Sequence, residues 1–215
     1  MEEDCYVMKL LDRTVQKRVH KRLLRDTLGR TQRINLVRLI SESLPDQGAS
    51  VLDIGCGNGL FSRDLMAVKP NLSIIGVETK AQSECLIKHF VYDGRKLPFE
   101  DKSFDYALLI NVLHHTDDPA VVLSEAARVA RGGIVIKDHY ANTSFDFYTL
   151  VAMEKIGNAF SDISQPYNFF SEKQWEALFA RVGLRTESIR KRFVSYNAVV
   201  DLFFGRNLHF IAKVG

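Results

Sequence analysis

The chain has few cysteines, and their placement rules out two whole classes. Cys5, Cys56 and Cys85 are the only three. They form no CxxC pair and no zinc-finger spacing, so neither a disulfide-stapled secreted scaffold nor a cysteine-rich structural zinc site fits. An odd, scattered set fits reduced thiols, and the expected localisation is cytoplasmic. There is no apolar run long enough to span a bilayer. The acidic start Met1-Glu2-Glu3-Asp4 leads into no secretory h-region. Charge of one sign is lacking too: 29 Lys+Arg against 26 Asp+Glu give a formal net charge of +3, too small to point to nucleic acid by itself. Repeats and low-complexity tracts are missing. What remains is 215 residues, 46% hydrophobic and 26% charged, the balance of a globular chain with a full core.

Periodicity then divides the chain. Leu11, Val15, Val19 and Leu23 recur every four residues, with Lys17, Arg18, Lys21, Arg22 and Arg25 on the other faces, which predicts an amphipathic helix over about Met8–Leu28. A second helix is expected over Arg33–Leu44, ending before Pro45 and Gly48. Short apolar runs rich in branched residues predict strands at Ser50–Ile54, Ser73–Val77, His89–Tyr92, Tyr106–Ile110 and Gly133–Lys137. Helices are expected between them at Gly59–Val68, Ala81–Lys88 and Pro119–Ala130. This alternation predicts an α/β fold, a Rossmann-like, doubly wound, mostly parallel sheet with helices on both faces. After Tyr140 the pattern changes. Ser144–Phe160 reads as an inserted helical segment, Ser171 caps a further helix that stops near Gly183, and Arg185–Arg192 and His209–Lys213 read as closing strands around a short apolar piece, Ala198–Phe204. The expected organisation is a helical cap over residues 1–46 and a domain over 47–215 with a helical insertion at about 141–170.

The most specific segment is Val51-Leu52-Asp53-Ile54-Gly55-Cys56-Gly57-Asn58-Gly59. An apolar run ends in an acid, and glycines follow at alternate positions: a buried strand entering a tight turn that a ligand approaches closely. The dinucleotide fingerprint G-x-G-x-x-G would need glycine at position 60, where Leu60 stands. Two further elements follow in order. Ile74-Ile75-Gly76-Val77-Glu78 is a strand ending in an acid, which either accepts from two ribose hydroxyls or caps the next helix. Asp93-Gly94 precedes Leu97-Pro98-Phe99 and Phe104-Asp105; taken alone, Asp93 reads as a turn residue.

In this order the elements resemble the class I S-adenosylmethionine (SAM) methyltransferases, and the pair His114-His115 resembles their methyltransferase type 11 subgroup. The likeness runs from about Arg33 to the C-terminus. It implies a seven-stranded sheet with an antiparallel last strand, and SAM as cofactor. It further implies that Gly55, Cys56, Gly57, Asn58 and Gly59 lie against the methionine part of the cofactor. Asp53 would sit under its amino group, Glu78 on the ribose, Asp93 and Gly94 at the adenine, and Asn111 nearby. Many members of the subgroup act on small molecules. No Pro-Cys dipeptide exists, so a cytosine-C5 nucleophile has no support.

Strand ends at the carboxyl edge of such a sheet are where ligands bind. There the fourth strand leads into His115 and the fifth ends Lys137-Asp138-His139-Tyr140. Methyl transfer is in-line displacement at a sulfonium; alignment can supply about 7–11 kcal/mol, and a base helps an oxygen acceptor by about 10²–10⁴-fold. Histidine titrates in a suitable range, so His139 and then His115 are the candidate catalytic bases, each with the alternative of a structural loop histidine. The six histidines and the acids show no metal-ligand spacing, and no metal is expected. Gln165–Phe170 either lines an acceptor pocket or packs a lid. The expected partner is a small-molecule or lipid-like acceptor, with no nucleic acid. Peripheral membrane contact through the basic N-terminal helix is a second option beside a solvated face. The competing functional readings are a non-catalytic SAM-binding partner of another methyltransferase and an RNA methyltransferase.

Overall fold

Seven strands form one sheet in the order β3-β2-β1-β4-β5-β7-β6. They are β1 (Ala49–Ile54), β2 (Leu72–Glu78), β3 (His89–Val91), β4 (Tyr106–Ile110), β5 (Ile134–His139), β6 (Thr186–Arg190) and β7 (His209–Val214). The computed structural model describes residues 27, 29–157, 166–191, 193 and 208–215. β1 pairs in parallel with β2 and β4, while β7 runs antiparallel to both β5 and β6. The chain winds outward from β1 to β3, then returns to lay β4 on the other side of β1. That reversal opens a crevice at the carboxyl ends of β1 and β4, the place where ligands bind in open α/β sheets.

Helices cover both faces. Residues 29–41 form α1, Leu60–Val68 α2, Pro119–Val129 α3, Ser144–Gly157 α4 and Glu172–Val182 α5. The period-2 alternation of the strands sorts the core into two layers. Leu52, Ile54, Leu109 and Ile136 pack with Leu123, Ala126, Trp175 and Phe179 from α3 and α5. Val51, Ile74, Leu108 and Val135 pack with Leu36, Val37, Ile40 and Leu65 from α1 and α2. Local chemistry sets the helix starts. Asp118 accepts from Ala120 N at 3.0 Å, with Pro119 in the first turn. Ser171 and Gln174 form a reciprocal capping box, and Gly183 ends α5 at φ 81°.

The helix expected over Ala81–Lys88 does not form. β2 and β3 are parallel neighbours joined only by residues 79–88, shorter than the dozen or more residues a helical crossover takes. The segment instead crosses the glycine turn as a loop. Leu86 N donates to Asn58 O at 2.9 Å, and Ile87 is buried against Gly59. The fifth strand is longer than expected: β5 runs on through Asp138 and His139, because β7 pairs with it to the end, His139 opposite His209. The Met8–Leu28 helix, the end of the inserted segment beyond Gly157 and the apolar piece Ala198–Phe204 lie outside the described residues. Among the described residues, no helix is long and apolar enough to cross a membrane.

Candidate active site

The crevice at the switch point holds a cavity of about 310 Å³, lined by Arg33 of α1, by Asp53, Gly55, Cys56, Gly57 and Asn58 after β1, by Phe61 of α2, and by Ile110 and Asn111 after β4. Gly55, Gly57 and Gly59 all have positive φ, at 77°, 53° and 72°, so the turn needs the conformational freedom that only glycine has without penalty. Their surroundings differ. A Cβ on Gly55 would meet Val112 Cγ2 at 2.6 Å, and one on Gly59 would meet Ile87 Cγ1 at 2.8 Å. A Cβ on Gly57 would meet no atom within 4 Å. Gly55 and Gly59 are therefore packed from behind, and Gly57 faces open space. Gly59 also serves as the N-cap of α2.

Two carboxylates frame this turn. Asp53 is 3% exposed and accepts from Ser62 Oγ at 2.6 Å. Burial pushes its pKa up to about 6; the Ser62 hydrogen bond opposes the shift and the Glu78 charge adds to it. Glu78 closes the turn from β2: Oε2 accepts from Gly57 N at 3.0 Å and Oε1 from Thr79 N at 2.8 Å. An ionised carboxylate has about four lone-pair sites, so acceptor capacity remains. Asp93 and Gly94 lie apart from the cavity lining. Asp93 is exposed and its Oδ1 accepts from Arg95 N and Lys96 N at 2.8 Å each, a turn-forming role. Gly94, at φ 78°, sits beside Thr79, one residue from Glu78.

Asn111 links the cavity to the rest of the strand edge. It has φ 56°, an uncommon left-handed conformation for a non-glycine residue. Its Oδ1 accepts from the Nζ of Lys137, a fully buried side chain whose Nζ is also 3.5 Å from His209 Nδ1. Burial pulls the Lys137 pKa down to about 8, against the opposing pull of Asp138 and Glu154.

Beyond Lys137 the two expected bases, His115 and His139, are brought together with residues that were given no site role from the sequence: His114, Asp138, Glu154 and His209. His114 Nδ1 lies 2.6 Å from Asp138 Oδ1; the ring N–H donates, because an ionised carboxylate only accepts. Asp138 also accepts from Leu113 N at 3.2 Å and His139 N at 2.9 Å. Glu154 reaches in from α4. Its carboxylate is 3.6 Å from His114 Nε2, 3.9 Å from His115 Nε2 and 3.8 Å from His139 Nε2. Burial opposes a charge on His114, but Asp138 and Glu154 outweigh it and raise its pKa to about 9. Burial and the neighbouring His114 cation lower His115 to about 4. Burial, with Lys137 beside it, holds His139 well below the ordinary range. Phe169 stacks on His114 at 5.4 Å, and Asn168 Nδ2 donates to Thr116 O at 2.6 Å, so the described part of the segment after the insertion packs onto the histidine turn. Trp175 Nε1 donates to His139 O at 2.9 Å and fixes the end of β5.

Known proteins match this chain in both sequence and fold. Residues 25–189 match the methyltransferase domain family. The chain is 28% identical over 183 residues to a demethylmenaquinone methyltransferase of Thermotoga maritima, covering 77% of this chain and 79% of that one. It is 27% identical over 186 residues to a ubiquinone biosynthesis O-methyltransferase of Thiobacillus denitrificans, covering 79% of each. In fold it matches a SAM-dependent methyltransferase from Methanosarcina mazei with a TM-score of 0.60 at 17% identity, over 82% of this chain and 95% of that one. The strand order, the glycine turn at the switch point and the match over residues 25–189 agree: the chain belongs to the methyltransferase domain family and is a class I SAM-dependent methyltransferase.

Proposed function

We propose that SAM occupies the cavity beside the glycine turn and that its methyl group goes to a small-molecule or lipid-like acceptor at the carboxyl edge of β4 and β5. The observation that carries this reading is the convergence of Asp53, the left-handed glycine turn and Asn111 on one cavity of about 310 Å³ at the switch point. Gly57 leaves room for the methionine part of the cofactor. Asp53 answers its ammonium group, Glu78 its ribose hydroxyls, and Asp93 with Gly94 its adenine. Asn111 stands where the donor side meets the acceptor side. The two named relatives are a demethylmenaquinone methyltransferase and an O-methyltransferase of ubiquinone biosynthesis, which supports an acceptor of small-molecule size. On the acceptor side His115 and His139 supply neutral imidazoles. His115 is the more accessible, with 23% of its side chain exposed against 5% for His139.

Calorimetric titration with SAM tests the donor site: Asp53→Ala and Glu78→Ala should each abolish or sharply weaken binding, and unchanged affinity in both would overturn the assignment. Incubation with SAM and quinol- or catechol-type acceptors should yield S-adenosylhomocysteine, and turnover should fall in His115→Ala and His139→Ala.

A further inference from the structure

We propose that His114, His115 and Glu154, with His139 alongside, form a binding site for one divalent transition-metal ion of the zinc class. His114 Nε2, His115 Nε2 and a Glu154 carboxylate oxygen come from the turn after β4 and from α4, and such ligand atoms of the three residues lie within 4.8 Å of one another. His139, from the end of β5, brings Nε2 to 3.8 Å from the same carboxylate. An ion about 2.0–2.1 Å from each of four tetrahedral donors keeps them about 3.4 Å apart. The observed separations, 3.6 and 3.8 Å from Glu154 Oε1 to His114 and His139 Nε2 and 3.9 Å from its Oε2 to His115 Nε2, exceed that by a few tenths of an ångström, within reach of small side-chain rotations.

The competing account is a plain ion-pair network, and two observations weigh against it. First, 3.6 Å from His114 Nε2 to Glu154 is too long for a hydrogen bond. His114 Nε2, one of the proposed ligand atoms, is fully buried and has no hydrogen-bond partner among the described residues. Buried polar nitrogens without partners are costly, and each calls for an explanation. Second, the opposite nitrogen of His114 donates to the buried Asp138. This carboxylate–histidine arrangement orients a metal-bound imidazole, and an incoming ion would displace the Nε2 proton of the His114 cation and take the lone pair it leaves. Imidazole nitrogens with one carboxylate suit zinc, iron or cobalt; magnesium and calcium prefer all-oxygen sites.

The consequence for catalysis rests on the methyl-transfer reading above. An ion held at this strand edge by His114, His115 and Glu154, with His139 swung clear, would keep its fourth position open for an acceptor hydroxyl and lower the pKa of that hydroxyl, so the imidazoles would act through the ion and not as free bases.

The test is direct titration of the full chain, stripped with a chelator, against Zn²⁺ and Co²⁺ in competition with a chromophoric chelator. The expected result is one ion per chain, visible d–d absorption for Co²⁺, and no displacement by Mg²⁺. Glu154→Gln and His115→Ala should each weaken the ion by at least about tenfold, with SAM affinity unchanged by calorimetry. His115 is partly exposed, so its variant keeps the test open if Glu154→Gln fails to fold. Absence of one-to-one binding in the parent, or parental metal affinity in either folded variant, would overturn the site while leaving the donor-site reading standing.

Discussion

Replacing Asp53 by asparagine should strengthen the fold while removing the donor site. The buried carboxyl has a pKa of about 6 against 3.8 for an ordinary aspartate. That displacement of roughly two pKa units means the ionised group costs the native state about 3 kcal/mol at neutral pH. The sign follows from proton binding. The folded state holds the proton more tightly than the unfolded state, so stability falls as pH rises from about 4 to about 6 and is flat above. Asparagine keeps an oxygen for Ser62 Oγ but carries no charge to desolvate. Urea denaturation of parent and Asp53→Asn at pH 8 should therefore show the variant more stable by up to about 3 kcal/mol, and about half of that advantage should be gone at pH 5. Calorimetry on the same samples should show SAM binding lost. A variant less stable than the parent by the same amount at both pH values would refute the reasoning, since the carboxylate would then be satisfied by its surroundings.

Further outcomes follow from the same geometry. Glu78→Ala removes the acceptor of Gly57 N and Thr79 N; hydrogen bonds to a charged group are worth about 1.5–3 kcal/mol, so SAM affinity should fall roughly 10–100-fold by calorimetry. Gly55→Ala and Gly57→Ala should separate packing from ligand access. The first drives a Cβ into Val112 and should cost about 1–3 kcal/mol in urea melts. The second meets only the positive-φ penalty of about 1 kcal/mol, yet it should block SAM. Trp175→Phe leaves the buried His139 carbonyl without its donor and should cost about 1–3 kcal/mol, read as a lowered thermal midpoint.

The donor side was legible in the sequence because its signals are local. The glycines, Asp53 and Glu78 each sit at a strand end; the alternation of apolar runs with helices was enough to predict a mostly parallel sheet, while its antiparallel last strand was implied by the family resemblance and its strand order is read from the structure. The loop over residues 79–88 was not legible. Ala81–Lys88 has helix-compatible residues, and only the parallel pairing of β2 with β3 shows that there is no room for a crossover helix. The histidine cluster was illegible for a different reason. His114 and His115 are adjacent in sequence, but Asp138, His139, Glu154 and His209 follow at long separations, and the antiparallel insertion of β7 is what sets His209 opposite His139. No helical or hairpin spacing connects them, so His115 and His139 read as separate candidate bases and not as members of one cluster.

The buried Lys137 carries a consequence for how this chain can change over time. Its ammonium is the donor to Asn111, whose left-handed backbone shapes one wall of the cavity. Loss of the asparagine alone leaves a buried cation with only the His209 ring near it, whereas loss of the lysine alone leaves a half-buried amide that opens onto the cavity and can be hydrated. The first intermediate is penalised far more than the second. The pair therefore has an ordered route of change: Lys137 can be replaced first, and Asn111 only afterwards.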